Sequence, residues 1–193
     1  MPRKVAVIVG SLRKDSLNRL TAEALARLAP EGLALEIVEI GALSFYDQDL
    51  DADPPAAWTR FRDAIRGYDA VLFVTPEYNR SVSGVLKNAV DIGSRPYGES
   101  VWDGKPAAVV SVSVGALGGF GANHHLRQSL AFLNMPLLQQ PEAYYGNAGT
   151  FFDEKGELAN GKTREVMRSF ILAFAHWVET IRGPAPAELS AAA

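Results

Sequence analysis

Cysteine is absent from all 193 residues. Its absence excludes disulfides, cysteine-ligated zinc, iron–sulfur clusters and a thiol nucleophile together. A dominant charge is lacking too: 19 Lys and Arg stand against 22 Asp and Glu, for a formal net charge of −3. Such a chain has no bulk attraction to nucleic acid or to an anionic membrane, so neither is expected as a partner. The apolar run nearest the N-terminus, Val5–Val9, is five residues long, and a membrane-spanning helix needs roughly 20. The opening Met-Pro-Arg-Lys does not build the apolar region of a secretory signal. The expectation is a soluble cytoplasmic protein. No internal repeat is visible, and the length suits one domain over 1–182 with a small, irregular and disordered tail over 183–193.

What is present is an alternation of short strand-like runs with helical spacing. Val5-Ala6-Val7-Ile8-Val9, Leu33 to Ile40, Ala70 to Val74, Pro106 to Val114 and Pro136 to Glu142 read as strands. The first and third are continuously apolar, as strands buried on both faces of a parallel sheet are. Between them, apolar residues recur at helical intervals from Leu17 to Leu28, Ala56 to Arg66, Val82 to Ile92 and Ala122 to Leu133. Lys162 to Arg182 completes the series as a long amphipathic helix. The order β-α-β-α-β-α-β-α-β-α predicts an α/β fold: a doubly wound, flavodoxin-like five-stranded parallel sheet in strand order 2-1-3-4-5, with helices on both faces.

Such a sheet takes its ligand beyond the carboxyl ends of the first, third and fourth strands. Three unusual loops fall there: Gly10–Asn18, Pro76–Ser81 and Ser113–Gly121. The first joins a buried strand to a helix start, where backbone N–H groups, hydroxyls and the helix dipole favour an anion, with Arg13 as a phosphate fork. A phosphomonoester suits it better than a pyrophosphate, because neither Gly-Lys-Ser/Thr nor a triple-glycine fingerprint is present. A plainer reading stands beside it, in which Ser16 caps the helix and Arg13 is solvated. Asp15 would repel a phosphate, so it is expected to point outward or to cap. In the second loop Tyr78 and Asn79 could border an aromatic ring; Glu77 lacks a partner for base catalysis and reads as structural. In the third, Ser113 and the glycines from Gly115 onward would allow a flat ligand to approach the backbone.

Other chemistries are weaker. The hydrolase elbow needs glycine two residues before its serine, and at Ser113 that position is Ser111. His124 and His125 are adjacent, so on a helix they diverge by about 100° and cannot chelate one metal. His176, beside Trp177, reads as a packing residue. The acidic loop Phe45–Leu50 lacks the glycine and closing glutamate of a calcium loop. No metal site is expected.

The motifs Gly10-Ser11-Leu12-Arg13-Lys14-x-Ser16-x-Asn18 and Thr75-Pro76-Glu77-Tyr78-Asn79-x-Ser81-x-x-Gly84-x-Leu86-Lys87-Asn88-Ala89-x-Asp91 resemble the NAD(P)H-dependent FMN reductase family. That family includes quinone and chromate reductases of flavodoxin-like fold. Ser113-x-Gly115-x-x-Gly118-Gly119 and His125-Leu126-Arg127-Gln128 extend the resemblance over nearly the whole chain. The resemblance implies bound FMN, with Ser11, Arg13, Ser16, Leu17 and Asn18 around the phosphate. It places Pro76, Glu77, Tyr78, Asn79, Ser113 and Gly115 along the isoalloxazine. It further implies NADPH or NADH as electron donor, and a quinone or another small acceptor such as chromate, an azo compound or free flavin. A homodimer or homotetramer with shared sites follows in the same way. The sequence departs from the family at Asp15, often glycine, at Ser83, often proline, and at Arg80, often aromatic. A flavodoxin-type electron carrier that never meets nicotinamide is the alternative function.

Overall fold

The computed structural model describes residues 1–183. Apart from Gly183, the tail expected to be irregular lies outside the described residues. Five parallel strands form one sheet in the order β2-β1-β3-β4-β5. They are β1 (Arg3–Val9), β2 (Leu33–Ile37), β3 (Ala70–Thr75), β4 (Ala107–Val112) and β5 (Ala143–Tyr145). The helices are α1 (Leu17–Leu28), α2 (Ala56–Arg66), α3 (Gly84–Gly93), α4 (Phe120–Phe132) and α5 (Gly161–Arg182). This is the doubly wound order that the alternation predicts.

Side-chain alternation along the strands divides the core in two. Val5, Val7, Val9, Leu72, Val74 and Val110 face Leu25 of α1 and Phe170 and Phe174 of α5. Ala6, Ile8, Val71, Phe73 and Val109 face Trp58 and Ile65 of α2, Leu86 of α3 and Leu126 of α4. All six residues of β3 are buried, which is why that run carries no polar alternation. Each large apolar side chain so enclosed contributes about 1.5–3 kcal/mol.

Most helix and strand ends fall within two residues of the sequence reading; the second strand stops three residues early. The fifth strand is a correction. It is not Pro136–Glu142 but Ala143–Tyr145, and of the earlier segment only Leu137 bridges the sheet, at Ala107. From Ala107 to Val110 is three steps on β4, whereas their partners Leu137 and Ala143 are six steps apart. The surplus residues bulge away, and Pro136 and Pro141 have no N–H to give a ladder. His176 is likewise exposed rather than packed.

Candidate functional site

Strand register brings the three loops level. Val9 pairs with Val74 and Thr75 with Ser111, so the chain leaves β1, β3 and β4 within about one residue of the same height. Two contacts then tie the first two loops together. Gly10 donates its N–H to the Val74 carbonyl at 2.8 Å, and the buried Ser83 hydroxyl donates to the Gly10 carbonyl at 2.6 Å. A proline at position 83 could not make the second bond. A side chain at Gly10 would strike Ser83 Oγ at 2.9 Å.

In the first loop, Ser16 is the N-cap of α1, and its Oγ accepts from Arg19 N at 3.2 Å. The cap leaves the N–H groups of Leu17 and Asn18 without intrahelical partners, pointing off the helix start. Ser11, Ser16 and Asn18 are buried, and Asn18 Oδ1 is enclosed with no hydrogen-bond partner. A buried acceptor left without a partner is costly. The amide's oxygen and nitrogen are interchangeable by a flip, so it can serve a ligand hydroxyl or an anion. Leu12, Arg13, Lys14 and Asp15 form an exposed crest above it. Asp15 is exposed and is not the cap, which is Ser16.

The second loop is a tight turn. Tyr78 and Ser81 exchange backbone hydrogen bonds of 3.0 and 2.9 Å, and Asn79 and Arg80 between them have φ of 52° and 62°, the type I′ pattern. Pro76 is buried at its base, while Tyr78 and Asn79 are exposed at its tip. Glu77 has the structural role read from the sequence: its carboxylate accepts from Arg80 Nη1 and from the Ala122 N–H, both at 3.1 Å.

The third loop carries a correction of emphasis. Gly118 and Gly119 are buried, and their would-be Cβ positions are filled by protein: by the Tyr144 backbone at 2.6 Å and by Ser111 Cβ at 3.0 Å. They permit loop to pack on strand, not ligand to approach backbone. Gly115 differs, being exposed, with only Ser113 Oγ nearby at 3.6 Å. Ser113 Oγ accepts from the Gly115 N–H at 3.1 Å.

Residues that sequence reasoning passed over support these loops. Asn123 is fully buried and donates to Ser111 Oγ and the Ala143 carbonyl, both at 3.3 Å. Its Oδ1 accepts from Arg127 Nε at 2.8 Å. The signal was available: Asn123 shares the inward spacing of Leu126 and Leu130, where a polar residue must be satisfied. His124 and His125 diverge as expected, to the Tyr144 hydroxyl at 2.9 Å and to Ser81 Oγ at 2.8 Å. Burial first, then a hydrogen bond with Glu142, pushes the Tyr144 phenol up to about 12.

Leu12, Tyr78, Val114, Leu117 and Phe120 stand exposed around the loops, an apolar rim open to a flat partner. The groove of about 900 Å³ lies elsewhere, on the flank between α3 and α4, and shares only Ser81 and Val82 with the loop region. The buried, unpartnered Asn18 Oδ1 and the open helix donors mark the loops, not the groove, as the candidate binding site.

The chain is similar to known proteins over most of its length. Residues 3–150 match the family described as NADPH-dependent FMN reductase. A quinone reductase of Pseudomonas putida is 63% identical over 179 residues, covering 92% of this chain and 96% of its own. A 2-hydroxy-1,4-benzoquinone reductase of a Burkholderia species is 46% identical over 182 residues, covering 94% and 100%. Among solved structures, the flavoenzyme NAD(P)H:(acceptor) oxidoreductase FerB of Paracoccus denitrificans superposes with a TM-score of 0.87 at 42% identity, covering 92% and 98%.

Proposed function

We propose that this chain, which belongs to the NADPH-dependent FMN reductase family, is an FMN-dependent NAD(P)H oxidoreductase that reduces quinones. The carrying observation is that three loops leave the sheet at one level beside the open α1 N-terminus, where Asn18 Oδ1 is buried without a partner. The P. putida and Burkholderia relatives bear quinone-reductase names, which supports the same acceptor class here.

In this reading the N–H groups of Leu17 and Asn18, the hydroxyls of Ser11 and Ser16 and the Arg13 guanidinium hold the FMN phosphate. The helix dipole and short polar donors suit a phosphomonoester there. Pro76, Glu77, Tyr78 and Asn79 border the ring, Glu77 through its main chain because its carboxylate is engaged with α4. Ser113 and the open backbone at Gly115 complete the border. When bound, FMN would supply the redox chemistry between the nicotinamide donor and the acceptor. The protein's part is to orient the ring and exclude water, which fits a site without an acid–base pair. Quinones are the favoured acceptors; chromate, azo compounds and free flavin belong to the same proposal as lesser candidates. The exposed apolar rim favours a homodimer or homotetramer whose subunits cover one another's sites. A cytoplasmic location belongs to the same proposal; among the described residues no helix is long and apolar enough to cross a membrane.

Reconstitution with FMN followed by assay with NADPH and NADH tests the proposal. Quinone-dependent oxidation of at least one donor is expected. A protein that binds FMN yet oxidises neither donor would be an electron carrier of flavodoxin type, and one that refuses FMN would overturn both readings.

A further inference from the structure

We propose that Glu77 is a positioning residue that clasps the Tyr78–Ser81 turn to the first turn of α4 and so fixes how that turn meets the flavin. The need arises on both sides of the contact. The N-cap of α4 is Gly119, which has no side chain to offer, and the orphan N–H of Ala122 would otherwise go unsatisfied. The Glu77 carboxylate reaches it at 3.1 Å from a loop 45 residues away in sequence. A negative charge at a helix N-terminus is also well placed with respect to the dipole.

On the other side, the turn is built from Asn79 and Arg80 with positive φ, a conformation uncommon for arginine and held only where the surroundings enforce it. Glu77 Oε1 takes the Arg80 guanidinium at 3.1 Å, while its side chain is only 14% exposed. Ser81 supplies a second tie through its hydroxyl to His125 Nδ1 at 2.8 Å. Gly121 is the clearance that the junction requires, since a Cβ there would lie 2.9 Å from the Arg80 carbonyl and 3.0 Å from Glu77 Oε2. Both oxygens of the carboxylate are thus engaged with protein groups, one with Arg80 and one with the Ala122 N–H. Its charge is balanced by Arg80 and the helix.

The inference rests on the flavin reading for its consequence but not for its geometry, so two measurements separate them. Amide hydrogen exchange on the flavin-free full chain reads the clasp directly. Glu77→Ala should speed exchange at Ala122 by about tenfold or more, the scale of one hydrogen bond to a charged group. Amides of β1 should keep their rates. Glu77→Gln keeps an acceptor for Ala122 but loses the Arg80 pair, and should fall between the two. In the FMN-loaded protein, Glu77→Ala should weaken FMN binding by about tenfold and shift the flavin midpoint potential, with Gly121→Ala doing the same. Unchanged Ala122 exchange in both Glu77 variants would overturn the clasp whatever the flavin does. An altered exchange rate with FMN affinity and potential both unmoved would overturn its positioning role. If the unmodified protein fails to take up FMN, the proposed function falls, and the exchange data still decide the clasp.

Discussion

Gly118→Ala should damage the fold rather than the ligand site. Gly118 has φ of +61°, and an added Cβ would lie 2.6 Å from the carbonyl carbon and oxygen of Tyr144 and 2.9 Å from Gly146 N. All three neighbours are backbone, so no side chain can swing aside. Ordinary contact begins near 3.4 Å, and either the loop or β5 must therefore retreat by about 0.8 Å. The left-handed conformation costs about 1 kcal/mol for a residue with a Cβ, and the crowding about 2 more, giving roughly 3 kcal/mol. In a domain of this size that lowers Tm by about 6–12 °C. Thermal unfolding of the flavin-free protein, followed by circular dichroism, measures it. The matched control is Gly115→Ala, whose Cβ meets only Ser113 Oγ at 3.6 Å; its stability should stay within about 0.5 kcal/mol. If the flavin passes over Gly115, FMN affinity should fall in that variant instead. A Gly118→Ala protein melting within about 1 °C of the unmodified chain would refute the packing argument.

Arg13→Ala should weaken FMN binding by about 10- to 150-fold, the loss of a hydrogen bond to a charged group worth roughly 1.5–3 kcal/mol, as read by fluorescence titration. Unchanged affinity would remove Arg13 from the phosphate. Gly93→Ala would push a methyl against the buried ring of Trp102, whose Nε1 donates to the Val90 carbonyl at 2.9 Å. A stability loss of about 2–4 kcal/mol with an altered near-ultraviolet tryptophan signal is expected. The Tyr68 phenol is pushed up to about 12, first by burial and then by its hydrogen bond to Glu36, from an ordinary value of 10.0. The folded state thus favours the neutral phenol. The stability it confers is complete below pH 10 and is lost as pH rises from 10 toward 12. Tyr68→Phe should flatten that part of an unfolding-versus-pH curve and remove one phenolate absorbance step near pH 12.

Much of this architecture was legible in local sequence. Continuous apolar runs are stable only where both strand faces are covered, so Val5–Val9 and Ala70–Val74 announced a parallel sheet. Helical spacing identified the five covering helices, and the loop positions followed from the strand order. Tertiary structure alone decided which residues serve which partner. Segment 136–142 follows the fourth helix where a fifth strand is due, yet register with β4 passes to Ala143–Tyr145 because the intervening residues must bulge. The glycines after β4 resembled a ligand-approach loop, but the obstacle at Gly118 is the backbone of Tyr144, a neighbour no local pattern encodes. Glu77 was recognised as structural only because no base partner stood near it in sequence; its true partner, the Ala122 N–H, becomes visible once α4 is seen to begin at residues that cannot cap it. Composition and periodicity act through neighbours a few positions away. Hydrogen-bond satisfaction and steric clearance act through whatever the fold brings alongside.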